Sequence, residues 1–121
     1  MNKWQAINAF WNSFEIPAYD ENSIPETASM PYITYSATIS GFEAPVTLTA
    51  SLWYRQTSWQ NISLKADEIA RYIGHAYKTI KLDDGYMVIT QGNTFAQRMS
   101  DEDDSIKRIY LMIDVEFYTQ S

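Results

Sequence analysis

Asp101, Glu102, Asp103 and Asp104 stand side by side in the stretch "SDEDDSIKRIYLMIDVEFYT". Carboxylates are oxygen ligands for calcium, but a calcium loop spaces its ligands and uses a glycine for its sharp turn. Here the acids are adjacent and no glycine follows, so the run reads as a solvated, mutually repulsive loop. Asp114 and Glu116 lie two apart, which on a strand puts them on one face, roughly 7 Å from each other. Inverting glycosidases hold two carboxylates at about that separation. Strand alternation alone accounts for the pair, so it does not point to catalysis. His75, the single histidine, follows Gly74 at what reads as a helix end, where a cation is favourable. With no second histidine and no cysteine it makes a poor zinc site. No serine sits in a nucleophile elbow. The glycines of "GYMVITQG" lack the spacing that cradles phosphate. Nothing assembles into a complete active site, so the expectation is a protein without enzymatic activity, cofactor or metal.

The bulk properties narrow the function further. The chain has 121 residues, which fits a single domain over 1–121 with room for a core that needs no covalent staples. It is 45% hydrophobic and 15% aromatic, with four Trp and nine Tyr, and so is far from a disordered profile. Such an aromatic load also suits contacts with other chains. The formal net charge is −6, with only nine basic residues, scattered along the chain. Nonspecific nucleic-acid binding relies on Lys and Arg neutralising phosphates, so neither nucleic acid nor an anionic membrane is an expected partner. The absence of cysteine excludes disulfides and thiol catalysis. No apolar run approaches the roughly 20 residues of a membrane span, and "MNKWQAINAFWNSF" lacks a signal peptide's apolar core. The expectation is a product soluble in the cytosol at synthesis.

Periodicity supplies the elements. Trp4, Ile7, Trp11 and Phe14, with Phe10 beside them, recur at helical spacing after a candidate N-cap, Asn2, and Pro17 ends the run. Residues 15–30, "EIPAYDENSIPETASM", form a long connector of the kind that is often functional or ordered by a partner. Ile16, Tyr19, Ile24 and Met30 are expected to pin it. Residues 31–40 and 46–55 alternate strictly and predict a hairpin turned by "GFEAP". A second helix is expected from near Asn61 or Ser63. Its buried stripe would be Ile62, Ala66, Ile69, Ile73 and Tyr77, with Asp67 and Glu68 in its first turns and Gly74 at its end. "TIKL" and "YMVIT" flank "DDG", a tight-turn signal. Residues 91–105 read as a polar loop with two exposed hydrophobes, Phe95 and Met99. The last strand runs from about Ile106 to Thr119. Ile109, Leu111, Ile113, Val115 and Phe117 take its inner face; Arg108, Tyr110, Met112, Asp114, Glu116 and Tyr118 take its outer face. Trp53 and Trp59 are either packed with satisfied indoles or interface residues. The predicted fold is α+β: a mainly antiparallel sheet of four to five strands with two amphipathic helices on one face.

Taken in order, "NAFWNSFEIPAYDENSIPE", "MPYITYSATIS", "SLWYRQTSW" and "GYMVITQGNTFAQRMSDEDDSIKRIYLMIDVEFYT" resemble the tail terminator and minor tail proteins of long-tailed bacteriophages and their prophages. "PYITY" after an acidic, proline-containing loop is one carrier. The glycine, Phe, Gln, Met and acidic pattern that leads into "IKRIYLMIDVE" is the other. The similarity runs over nearly the whole chain and rests on scaffold patterns.

The resemblance implies a virion protein made in the bacterial host cytoplasm and built into the tail or neck. Such a protein forms a homo-oligomeric ring, usually a hexamer, at the head-proximal end of the tail tube. It stops tube polymerisation and offers a surface to the head-completion or connector protein. It brings no catalytic residues, cofactor or metal. It suggests loop 91–105 and the outer strand face as contact surfaces: Phe95, Arg98, Met99, Asp101, Glu102, Asp103, Asp104, Lys107, Arg108 and Tyr110. A terminator must accept one neighbour and refuse another, which complementary and repulsive charge can achieve. Arg98, Lys107 and Arg108 bracket the acidic run, so acids of one subunit could meet basic residues of the next. A head-completion or other minor tail component is the neighbouring alternative. A small ligand-binding or enzymatic α+β domain is the alternative from another class, and the missing site constellation argues against it.

Overall fold

The computed structural model describes residues 1–39 and 45–119. Its elements are α1 (Lys3–Trp11), β1 (Ala18–Asp20), β2 (Tyr32–Tyr35), β3 (Val46–Arg55), α2 (Gln60–Ile73), β4 (Lys78–Lys81), β5 (Gly85–Met99) and β6 (Ile106–Thr119). The strands form one six-stranded sheet in the order β1-β2-β3-β6-β5-β4. All neighbours are antiparallel except β1 and β2, which are parallel. The architecture is thus α+β, as the sequence predicts, with one more strand than expected and a mixed sheet. The extra strand, β1, comes from the connector. Its three residues are too few to show a period, and it is held by register with Ile33, Thr34 and Tyr35.

The inner face of the sheet is apolar because strand alternation makes it so. Leu48, Ala50, Leu52 and Tyr54 of β3 meet Ile109, Leu111, Ile113, Val115 and Phe117 of β6, together with Ile33, Tyr35, Met87 and Ile89. Both helices cover this face. α1 contributes Ala6, Ile7, Phe10 and Trp11; α2 contributes Ile62, Ala66, Ile69 and Ile73. The helices meet through rings: Phe10 stacks edge-on against Phe14 at 5.4 Å, and Phe14 against Tyr72 at 5.2 Å. Lys65 ties them further, donating to the Phe14 carbonyl (2.7 Å) and to Glu68 (2.9 Å).

α1 starts where Asn2 and Gln5 cap each other's backbone amides, at 2.8 and 2.9 Å. Ile7, Phe10, Trp11 and Phe14 are buried as predicted, and the stripe differs from expectation at one residue. Trp4 is 56% exposed, and Ala6 takes a place in the core. α2 begins at Gln60, earlier than expected, so Asp67 and Glu68 lie mid-helix and its first turn carries no acid. It stops at Ile73, because Gly74 adopts φ +83°. Tyr77 therefore leaves the helix and is 62% exposed, outside the stripe predicted for it. β2 is shorter than its alternation suggests. Beyond it, Ser36 still donates its amide to the Thr49 carbonyl, and Ala37 and Ile39 pack against the core. The turn predicted at "GFEAP" lies outside the described residues except for Pro45. The "DDG" hairpin forms between β4 and β5.

The largest departure is in residues 91–105. Strand β5 continues to Met99, paired with β6 from Ala96 to Met99 after an irregularity between Gln91 and Ala96. Only residues 100–105 form the loop. Phe95 is half-buried against the core and Met99 is also half-buried, so neither is the exposed hydrophobe that polar surroundings suggested. Its polar residues still reach the cover: Arg98 donates to Ser63 of α2 and lies over the Trp59 ring, while Phe95 and Ala96 pack against the core.

Candidate functional site

Among the described residues, no helix or further strand layer covers the face of the sheet opposite the helices. Its middle is built around Arg108, which projects from β6 on the outer side, as alternation predicts. Its guanidinium lies 4.8 Å from the Trp53 ring centroid and 5.8 Å from that of Tyr110. Its Nε donates to Ser51 Oγ at 3.0 Å, and Ser51 is buried beneath it. Trp53 is fixed in turn by its indole N–H, which donates to Thr34 Oγ1 at 2.9 Å. Thr34, Trp53, Ser51 and Arg108 thus form a chain of fixed side chains across β2, β3 and β6. Among the described residues, no carboxylate lies within ion-pair distance of Arg108.

A groove of about 560 Å³ runs beside this chain, between the sheet and the segment that follows β1. Glu21, Ile24 and Met30 line it on the side of that segment; Tyr32, Thr49, Trp53, Arg108 and Tyr110 of the sheet form its floor. Of the four connector residues expected to pin that segment, Ile16 packs on the core and Tyr19 sets its ring edge-on to Tyr32 at 5.9 Å. Ile24 remains 41% exposed. Further along the same face, Tyr77, Tyr86 and Tyr118 form a second, exposed aromatic patch with Val88. The Tyr118 hydroxyl is pushed above its ordinary titration range, chiefly by its hydrogen bond to Glu116. Asp114 accepts from Thr47 Oγ1 at 2.8 Å. Asp114 and Glu116 are thus each engaged within the sheet surface.

The predicted contact residues divide between the two faces. Arg108, Tyr110 and Met99 alternate onto the open side. Arg98 and Lys107 pair with Ile109 and Tyr54, and so lie on the helical side. There they flank Trp59, at 4.9 and 5.6 Å from its ring, beside the first turn of α2. Arg98 also donates to Ser63 Oγ at 3.2 Å. Trp59 is half-buried against the core, and Trp53 is half-buried on the open face with its indole satisfied.

The acids 101–104 are exposed and organise their own turn. Asp101 accepts from the Asp103 amide at 3.0 Å. Asp103 accepts from both the amide and the hydroxyl of Ser105, at 2.8 and 2.7 Å. Those Ser105 hydrogen bonds, with Arg55 and Lys107 adding less, hold the Asp103 carboxyl below its usual range. Arg55 approaches it at 3.9 Å. The loop is thus a set of side-chain-to-backbone turns with one weak ion pair. His75 is exposed just past α2. Among the described residues, no three of His, Cys, Asp and Glu converge on a point where a metal would sit. The same residues include no helix long and apolar enough to cross a membrane.

The groove wall and the strand β1 beside it were not legible as a site. The connector's prolines and acids signal a loop, but which side of the sheet it lies on depends on the β1–β2 pairing. No family model matches the chain, and no curated protein matches it in sequence. Among solved structures, a chain of the "Virion of native gene transfer agent (GTA) particle" superposes with a TM-score of 0.61 at 14% identity. The match covers 92% of this chain and 83% of that one, so the fold over most of the chain is one also found in a virion particle.

Proposed function

We propose that this chain is a structural protein of a phage-like particle and, within that class, a tail terminator. It would cap the head-proximal end of the tail tube as a ring, with a hexamer the expected size. It would stop tube polymerisation and provide the surface that the head joins. The observation that carries the class is the fold shared along 92% of the chain with a component of a gene transfer agent virion. The station within the particle rests on the sequence resemblance described above. Its partners would be further copies of itself, the tail tube protein and the head-completion or connector protein, with no direct role for nucleic acid or membrane. The role is one of contact and not of catalysis. The open face, with Arg108 held between Trp53 and Tyr110, offers a rigid, partly desolvated surface of the kind on which interface energy concentrates.

Deleting the gene in the phage or prophage that encodes it, followed by electron microscopy of the lysate, tests the assignment. Overlong tails without heads are expected. Tails of normal length would overturn the terminator assignment, and normal tails lying beside unjoined heads would place the chain in the neck instead.

A further inference from the structure

The floor of the open-face groove is two rows of side chains set by strand register. Tyr32, Trp53 and Arg108 stand opposite one another across β2, β3 and β6. Thr34, Ser51 and Tyr110 form the next row, roughly 7 Å along the strands. Two hydrogen bonds lace the rows together. The Trp53 indole donates to Thr34 at 2.9 Å, and Arg108 Nε donates to Ser51 at 3.0 Å. Both acceptors are buried. The floor is therefore preformed, and a ligand does not have to order it.

The lacing leaves one edge of Arg108 free. Trp53 and Tyr110 lie against the guanidinium, with ring centroids 4.8 and 5.8 Å away. Nε is engaged by Ser51, but the two terminal nitrogens carry four more N–H donors. Among the described residues they make no hydrogen bond, and no carboxylate lies within ion-pair distance. Arg108 is half-buried, so part of its hydration is already lost. A fixed, planar, partly desolvated fork of this kind is matched by a planar carboxylate, which can take two parallel hydrogen bonds.

The wall of the groove describes what carries that carboxylate. Ile24, 41% exposed, and Met30 offer an apolar surface. Glu21 sets a negative charge on the same wall, its amide bound to the Tyr35 carbonyl at 2.9 Å. Among the described residues no cation lies within ion-pair distance of it. The groove thus holds one cation on its floor and one carboxylate on its wall, in a chain of net charge −6. That balance makes a phosphate backbone a poor occupant. A peptide fits it: one acidic side chain for Arg108, a large apolar one beside it for Ile24 and Met30, and an N–H donor for Glu21.

We infer that the groove binds an extended segment of the protein through which the head joins. An Asp or Glu of that segment meets the free edge of the Arg108 guanidinium, and a neighbouring apolar side chain lies against Ile24 and Met30. The chemistry of the segment rests on the groove; the identity of its owner rests on the terminator assignment.

Two probes test this, the tripeptides acetyl-Leu-Glu-Leu-amide and acetyl-Leu-Gln-Leu-amide, titrated into the purified full chain. The indole N–H of Trp53 and the Nε–H of Arg108 are the NMR reporters. The Glu peptide is expected to shift both signals and to bind about tenfold more tightly than the Gln peptide. Arg108→Gln should erase that preference while the β6 amides keep their positions. Ile24→Asp, at the exposed rim, should weaken binding of the Glu peptide without touching the floor. Equal binding of the two peptides would overturn the inference, as would shifts centred on Trp59 or on Tyr77, Tyr86 and Tyr118. Inorganic phosphate or a single-stranded oligothymidine moving both signals at lower concentration than the Glu peptide would do the same. In the particle, p-benzoylphenylalanine in place of Ile24 is expected to cross-link to another virion protein, at a peptide holding an Asp or Glu. Arg108→Gln should suppress that product. A product joining two copies of this chain counts against the partner. Tails of normal length after gene deletion, with the Glu preference intact, would remove the terminator assignment and leave the groove standing. Overlong tails with equal peptide binding would do the reverse.

Discussion

The Arg108 guanidinium lies 4.8 Å above the Trp53 ring while its Nε holds the buried Ser51 hydroxyl. The stack fixes a positive charge in the middle of the open sheet face, on the floor of the groove walled by Glu21, Ile24 and Met30. Arg108→Ala is expected to leave the fold intact, with a loss of about 0.5–1 kcal/mol for the cation–ring contact. It should change Trp53 fluorescence and abolish head attachment. Arg108→Lys keeps the charge but loses the planar stack and the Nε donor, so it should recover attachment only in part. Particle counts by electron microscopy, beside urea titrations, check both.

Phe10 and Trp4 lie on the same short helix with opposite fates. Phe10 is 1% exposed and Trp4 is 56% exposed. Phe10→Ala should cost about 3–5 kcal/mol, through lost burial and the cavity left between the helices. Trp4→Ala should stay within about 0.5 kcal/mol. Equilibrium denaturation of the two variants tests the face of α1 that meets the sheet.

Asn12 both receives the Ala18 amide and donates to its carbonyl. Asn12→Ala removes both bonds at once and should cost about 1–2 kcal/mol. Its more specific signature is local: hydrogen exchange at the Ala18 amide should speed up while the β3–β6 amides keep their protection.

Asp103 adds a small pH-dependent contribution on the acid side of the stability curve. Its folded-state pKa is depressed, first by the Ser105 hydroxyl and then by the Ser105 amide. The stabilisation is therefore present above the carboxyl's unfolded value and is lost as pH falls through the lower folded value. The effect should be small, because the group is exposed, and it should appear in the Ser105 amide shift followed by NMR. Asp103→Asn should flatten that titration without altering the sheet.

The long alternating runs were readable because period two is unambiguous over ten or more residues: both faces of β6 and the inner face of β3 stand where alternation put them. The short pieces were not. β1 has three residues, too few for a period, and its partner is parallel and reached through the connector. The second half of β5, "GNTFAQRM", has polar residues on both faces and a break in register, so its local pattern is that of a loop and only β6 makes it a strand. Trp4 and Tyr77 were placed in stripes by spacing. Ala6 fits the core better beside the sheet, and Gly74 ends α2 before Tyr77 can join it. The candidate contact residues were grouped by sequence, but alternation sends Lys107 and Arg108 to opposite sides of the same strand.

The position of β6 also governs how the molecule is made. It follows the other five described strands in the chain, yet it occupies the middle of the sheet, between β3 and β5. Until it emerges, the chain holds two separate strand pairs, β2–β3 and β4–β5, whose long inner edges have no partner. The closing pairs span large sequence distances, Val46 with Val115 among them, and such non-local pairing is intrinsically slow. Sheet closure is therefore a late, single event. Before it, the exposed edges of nascent chains can pair with one another, so high expression or a truncation within β6 should favour aggregation over assembly.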